Sequence, residues 1–128
     1  MFIKTPNESG DDQIGFLSGA KEDKLEAHLK NMRGVFLDFM NIGQLESDEK
    51  NGDIVFEIPN FIQGGTFSDS YVIIDESQNM SPPTIKLLLE RFDDSCKVIV
   101  LGDCKQTYSI KKRQDGFTDL VGRVTSVD

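Results

Sequence analysis

Asp75 and Glu76 are adjacent acidic residues that directly follow the apolar run Tyr-Val-Ile-Ile at residues 71–74. A carboxylate at the end of such a strand can support Mg²⁺, often through water, and a second one can orient or activate an attacking water molecule. This chemistry assigns the metal to Asp75 and the water to Glu76. The pattern is weak by itself, because strand ends commonly place acids in solvent or at the N-terminus of the next helix.

A second run, residues 97–101, ends in Gly102 and Asp103 and is followed by Gln106. A glycine lets the backbone turn tightly beneath a nucleotide. A glutamine amide can donate to a γ-phosphate oxygen while it accepts from the attacking water. Gln106 is therefore predicted to sense a γ-phosphate.

A helix links the two runs in the predicted order strand, helix, strand. Ser-Pro-Pro at residues 81–83 supplies an N-cap and a proline-tolerant first turn. Both runs lack polar alternation, which predicts strands that are buried on both faces. The crossover implies parallel pairing, and in parallel sheets the loops after the strands form the ligand crevice. Asp75, Glu76 and Asp103 are thus expected along one rim.

The amino-terminal half predicts a helix, a loop and a short strand. Residues 21–40 carry an amphipathic stripe, and residues 54–58 have the composition of a strand. The polar, acidic stretch 41–53 contains the turn pair Asn51-Gly52 and is predicted to be an exposed loop and a candidate insertion. The helical stripe consists of Leu25, Leu29, Met32, Phe36 and Phe39.

Composition indicates a single folded domain. The chain has 128 residues with 38% hydrophobic content, and it shows neither a signal-peptide pattern nor a membrane-spanning stretch. Cys96 and Cys104 form no metal-binding or disulfide pattern, which favours a reducing, cytoplasmic compartment. A net charge of -8 disfavours nucleic-acid binding by this chain alone, so the basic run 111–113 is interpreted as a solvated loop.

The two acidic runs, residues 72–79 and 98–106, resemble motifs of the PhoH family of P-loop ATPases, which are relatives of superfamily 1 helicases. The family reads Asp-Glu-Ala-Gln-Asn in the first motif, its Walker B element, and Gly-Asp-x-x-Gln in the second. Only Ser77 departs from these positions, where it stands for Ala. Further matches cover nearly all of the chain and lie at residues 4–6, 14–19, 64–66 and 115–117.

The resemblance implies a three-layer α/β domain with a mainly parallel sheet of the P-loop NTPase type, and it implies Mg²⁺ and ATP as ligands. Carried over residue by residue, the catalytic positions are Glu76 and Gln106, and the metal ligand is Asp75. The nucleotide-binding positions are Asp75, Gln78, Gly102 and Asp103.

Parts of the family pattern are missing from the sequence. No glycine is followed by lysine, so the Gly-x-x-x-x-Gly-Lys-Ser/Thr loop that cradles the β- and γ-phosphates is absent. The chain also stops before the family's last strand and helix, and Gln63 and Gly65 stand where the family has arginines. ATP binding and hydrolysis by this chain alone are therefore expected to be weak or nil.

The missing loop also has a structural consequence. In the family, the strand that ends in Gly-Asp lies between the Asp-Glu strand and the phosphate-loop strand, so residues 97–101 are expected to form an exposed edge. A bare edge invites pairing with another strand. This predicts a partner polypeptide that carries the phosphate loop, or the pairing of two copies of this chain.

Two functions stay open at this point. The first is an enzyme part that contributes metal, water and γ-phosphate contacts to an ATP site completed elsewhere, with RNA or DNA as a distal substrate through the family. The second is a non-catalytic interaction module derived from such an ATPase. Short proteins with this motif pair are common in bacteriophages, so a phage gene acting in the host cytoplasm is one further expectation.

Overall fold

The computed structural model describes residues 1–5, 18–59, 62, 64–105 and 115–126, with the backbone alone for residues 18–22. This part of the chain contains both helices and strands. In chain order they are β1 (Phe2–Lys4), α1 (Ser18–Phe36), α2 (Ile42–Asn51), β2 (Phe56–Glu57), β3 (Tyr71–Asp75), a 3₁₀ turn (Ser77–Asn79), α3 (Pro82–Leu89), β4 (Lys97–Val100) and α4 (Gly116–Thr125).

The strands form one parallel sheet in the order β2-β1-β3-β4. Ile3 lies opposite Ile74, which in turn lies opposite Val100. The predicted α/β class and the parallel strand–helix–strand crossover are therefore confirmed. Among the described residues, β4 pairs only with β3 and lies at one end of the sheet.

One face of the sheet carries the main core. β1 and β3 contribute to it from the sheet, α3 packs on them, and α4 packs against α3. α3 begins at its predicted N-cap, where the Ser81 hydroxyl accepts a hydrogen bond from the Thr84 N–H. The buried residues of this core are Ile3, Val72, Ile74, Met80, Ile85 and Leu88.

The opposite face is covered at the β2–β1 end. Phe2, Phe36 and Phe56 meet edge to face there, with ring centroids 5.1 to 6.2 Å apart. The register continues this row from Phe2 through Ile73 to Ile99, yet Ile99 is 46% exposed. The expectation that both apolar runs are buried on both faces is wrong on this side, because within the described residues α1 packs over β2 and β1 and leaves Ile99 of β4 half exposed.

The stretch 41–53, predicted as an exposed loop, is mostly exposed, but its residues 42–51 form the helix α2. Asn41 caps α2 by accepting a hydrogen bond from the Gln44 N–H at 2.8 Å, and Gly52 ends it in a left-handed conformation with φ 79°. Leu45 is the buried residue that anchors α2 to the rest of the chain. Asn51 is thus the last residue of α2 and Gly52 its C-cap, where the sequence predicted a turn within a loop.

The boundaries of two other elements also differ from their predictions. α1 ends at Phe36 and not near residue 40, and Phe39 is 87% exposed instead of belonging to a buried stripe. The predicted strand 54–58 is reduced to the two residues of β2. Within the described part of the chain, no helix has both the length and the apolar character needed to cross a bilayer.

Candidate active site at the strand ends

Asp75 is the last residue of β3, and its carboxylate lies at the carboxyl-terminal rim of the sheet. The parallel register places it opposite Lys4 of β1, whose Nζ is 3.8 Å from Asp75 Oδ2. The other oxygen, Oδ1, accepts a hydrogen bond from the Glu76 N–H at 2.8 Å. The carboxylate is therefore fixed in orientation and has a positive neighbour.

Glu76 directly follows β3 and has a left-handed backbone with φ 53° and ψ 37°. This conformation costs a non-glycine residue on the order of 1–2 kcal/mol, so surrounding contacts must hold it. One such contact is the hydrogen bond from Gln78 Nε2 to Glu76 Oε2 at 2.5 Å. The turn thus points the Glu76 side chain toward Gln78.

Gln78 connects the ends of β3 and β4. Its side-chain amide donates to Glu76, and its Oε1 accepts from the Asp103 N–H at 3.2 Å. Gln78 is only 4% exposed, so loss of either bond would leave a buried polar group unpaired. The structure therefore brings Asp75, Glu76, Gln78 and Asp103 to one rim.

Gly102 lies where the chain leaves β4 and passes close to two side chains. A Cβ at this position would meet Ser77 Oγ at 2.6 Å and Phe117 Cγ at 2.6 Å. Ser77 is fully buried, and its hydroxyl donates to the Leu101 carbonyl at 2.6 Å. The described structure explains this glycine by side-chain packing, whereas the sequence suggested a tight turn beneath a nucleotide.

Asp103 turns its carboxylate toward its own loop. Asp103 Oδ1 accepts a hydrogen bond from the Lys105 N–H at 2.8 Å, and the residue is exposed. Gln106, the predicted γ-phosphate sensor, lies outside the described residues. The structure therefore places Asp103 at the rim, and the position of Gln106 stays a prediction.

Two residues at the end of β1, Lys4 and Thr5, belong to this rim. Sequence analysis matched residues 4–6 to the family but assigned neither residue a role in the site. Lys4 pairs with Asp75. The next residue, Thr5, is 5% exposed, and its Oγ1 has no hydrogen-bond partner among the described residues. His28 of α1 lies with Nε2 2.8 Å from the Lys4 carbonyl oxygen and so ties the helix to this strand end. Only the strand register reveals these neighbours, because Lys4 and Asp75 are distant in sequence.

The donor set at the rim fits Mg²⁺ of the kind that binds together with phosphates. Among the described residues no group of three or more His, Cys, Asp or Glu side chains could hold a metal alone. Mg²⁺ usually keeps several waters and binds one or two carboxylates plus substrate phosphates. Asp75 supplies one such carboxylate. Thr5 follows Lys4, the register partner of Asp75, and offers a buried hydroxyl oxygen with no hydrogen-bond partner in the described part of the chain.

Fold and rim together define a parallel α/β domain with acidic residues at the ends of neighbouring strands, where such sheets bind ligands. A family model described as PhoH-like protein matches residues 1–128. The chain belongs to the PhoH-like family.

Curated relatives share this family name and are considerably longer. The chain is 28% identical over 106 residues to a PhoH-like protein of Bacillus subtilis, covering 83% of this chain and 33% of the relative. It is 33% identical over 98 residues to Protein PhoH2 of Bacillus subtilis, covering 73% of this chain and 22% of that protein. It is 26% identical over 125 residues to Protein PhoH of Escherichia coli, covering 96% of this chain and 35% of that protein. The chain spans about a third of the first relative's length.

Proposed function

We propose that this chain contributes the magnesium- and water-handling side of an ATP site that another polypeptide segment completes. The observation that carries the proposal is the Gln78 side chain, which hydrogen-bonds the Glu76 carboxylate and the Asp103 N–H at once. It holds the ends of β3 and β4 in one arrangement, as a preorganised site requires. Membership of the PhoH-like family supports an ATPase-related role.

Each residue at the rim has a distinct role in this proposal. Asp75 supports Mg²⁺, and Glu76 orients or activates the attacking water. Bound Mg²⁺ would neutralise charge on the phosphate oxygens. Gln78 positions Glu76, Gly102 keeps the β4 end close to the turn that contains Ser77, and Asp103 fixes the loop that leads to Gln106. Gln106 contacts the γ-phosphate.

The segment that completes the site docks along β4 in this proposal. Among the described strands β4 has a neighbour on one side only, and Ile99 and Leu101 next to it are about half exposed. A strand added at this edge gains backbone hydrogen bonds and covers apolar surface. The occupant we propose is a polypeptide carrying the Gly-x-x-x-x-Gly-Lys-Ser/Thr loop, which the present sequence lacks. A second copy of this chain is the competing occupant.

Phosphate release from Mg²⁺-ATP tests the proposal. The chain is mixed with the phosphate-loop segment of a PhoH-like protein, and turnover is expected in the mixture and in neither component alone. Glu76→Gln should lower the rate by about 100-fold or more, because it removes the group that activates water. Asp94→Asn is the matched control, since Asp94 is an exposed acid in the turn before β4. A mixture that associates but stays inactive would overturn the proposal.

The second candidate is an interaction module without turnover. The exposed apolar side chains beside β4 support it, since such a surface serves docking whether or not ATP is hydrolysed. In that case the chain binds its partner with equal strength after Asp75→Asn, and no phosphate is released. RNA or DNA as a distal substrate rests on the family resemblance and belongs to the first candidate only.

A further inference from the structure

The ammonium group of Lys4 lies beside the carboxylate that the proposed function assigns to the metal. Lys4 Nζ is 3.8 Å from Asp75 Oδ2, and both side chains are about one quarter exposed. We infer that Lys4 is the built-in counter-ion of Asp75 and that a divalent cation binds Asp75 only by displacing this ammonium group. The inference rests on the proposed function and adds a positioning residue to the same site.

The backbone on both sides of this ion pair is held in place. Lys4 and Asp75 are register partners in β1 and β3, and the His28 ring hydrogen-bonds with the Lys4 carbonyl oxygen. Asp75 Oδ1 is occupied by the Glu76 N–H. The flexible part is the Lys4 side chain, whose methylene groups allow its ammonium to move while the strand stays fixed.

Charge and position make the ammonium group and a divalent cation competitors. With Oδ1 engaged, Oδ2 is the oxygen that faces a ligand, and it already has Lys4 as its neighbour. An ammonium group a few ångströms from a divalent cation repels it by an amount equivalent to about tenfold in affinity, even in a water-like medium. Removal of Lys4 should therefore strengthen cation binding.

The surroundings indicate more than a structural ion pair. Thr5 follows Lys4 directly, is nine-tenths buried, and has an Oγ1 without a hydrogen-bond partner among the described residues. A ligand oxygen or cation at the rim would satisfy this hydroxyl. The displaced ammonium of Lys4 would remain at the same strand end, where it adds a positive charge for anionic groups that arrive with the cation. This sequence has no Gly-Lys loop to supply that charge.

Binding of Mn²⁺, measured by the electron paramagnetic resonance signal of the free ion, tests the inference without nucleotide or partner. Lys4→Met should bind Mn²⁺ about tenfold more tightly than the wild-type chain. The gain should disappear in Lys4→Met/Asp75→Asn. Lys86→Met is the matched control, because it removes the same charge from an exposed ion pair with Glu90 and should leave Mn²⁺ affinity unchanged.

Three results would overturn the inference. In the first, Lys4→Met binds Mn²⁺ no more tightly than the wild-type chain, including the case in which neither binds Mn²⁺. In the second, the gain in Mn²⁺ affinity remains in Lys4→Met/Asp75→Asn. In the third, Lys86→Met shows the same gain in Mn²⁺ affinity. Lys4→Gln replaces Lys4→Met if circular dichroism shows that the latter fails to fold, and Lys4→Arg should behave as wild type because it keeps the charge. The proposed function fails separately, through absent turnover in the mixed assay, whatever Mn²⁺ does.

Discussion

The two faces of β3 and β4 both carry apolar side chains, but these side chains are buried to different extents. On one face Val72 and Ile74 are fully buried beneath α3. On the other, the row that begins at Phe2 beneath α1 ends at Ile99, which is half exposed at the end of the sheet. The strands therefore have the composition of strands buried on both sides. Among the described residues, the face under α3 is fully buried in β3 and partly buried at Val98 and Val100 of β4. The more exposed side is the surface where we propose that a partner docks.

Truncation of one isoleucine on each face tests this comparison most strongly. Ile74→Ala removes buried methyl groups and should lower the free energy of unfolding by about 2–5 kcal/mol. Ile99→Ala removes the same groups from the half-exposed row and should cost about 1 kcal/mol or less. Urea unfolding followed by circular dichroism measures both. Equal losses would mean that Ile99 is buried in solution.

A methyl group at Gly102 tests the packing behind the rim. Gly102→Ala places a Cβ 2.6 Å from Ser77 Oγ and Phe117 Cγ, so the free energy of unfolding should fall by about 1–3 kcal/mol. Gly122→Ala is the control, because among the described residues no atom beyond its chain neighbours and its own helix backbone lies within 4 Å of a Cβ there, and it should be neutral or stabilising in its helix. An unchanged melting temperature in Gly102→Ala would refute the close approach.

A charge on the more exposed face should weaken association. Ile99→Lys places an ammonium group on the surface that we propose for docking and should weaken binding to the phosphate-loop segment by about tenfold, or about 1.4 kcal/mol. Val124→Lys makes the same change on exposed α4 and should leave binding unchanged. Sedimentation velocity measures both. If the two variants bind alike, the partner docks elsewhere.

The smallest expected effect is a difference in pH dependence between the two ends of the sheet. Burial raises the pKa of Glu57 in β2, with the Ile58 N–H acting in the opposite direction. The stability that Glu57 contributes is fully present below pH 4.5, the ordinary pKa of a glutamate, and is lost as the pH rises through the raised pKa. Glu57→Gln should therefore flatten the pH dependence above that value.

At the β4 end the sign is reversed. Hydrogen bonds from Ser68 and Ser95 lower the pKa of Asp93. The stability that Asp93 contributes is therefore fully present above pH 3.8, the ordinary pKa of an aspartate, and is lost as the pH falls through the lowered pKa. Asp93→Asn should remove the loss of stability at low pH and leave the loss caused by Glu57 at higher pH unchanged. Melting temperatures between pH 2 and 7 separate the two groups. Equal slopes in both variants would contradict the assignment.

The central strand–helix–strand unit was predictable because its signals are local. Apolar runs marked β3 and β4, Ser81 marked the start of α3, and the acidic residues marked the rim. α2 was missed because Leu45 is its single buried residue among the described ones, which gives no amphipathic stripe. Its capping residue, Asn41 followed three positions later by Gln44, was the available signal.

The contacts within the rim were not predictable, because tertiary structure creates them. The Lys4–Asp75 pair depends on the register of β1 with β3, and no local pattern states that register. The reason for Gly102 depends on Phe117 from α4, which is distant in sequence. The role of Gln78 as a link between two strand ends likewise needs both ends in place. The sequence therefore predicted most residues of the rim, whereas their contacts follow from the fold.

Isothermal titration calorimetry with Mg²⁺-ATP tests the central claim most directly. The chain alone should give no resolvable heat. After addition of the phosphate-loop segment, binding should appear and should be lost in Asp75→Asn. Tight binding by the chain alone that disappears in Asp75→Asn would contradict the account, because another element would then replace the phosphate loop and this chain would hold a complete nucleotide site.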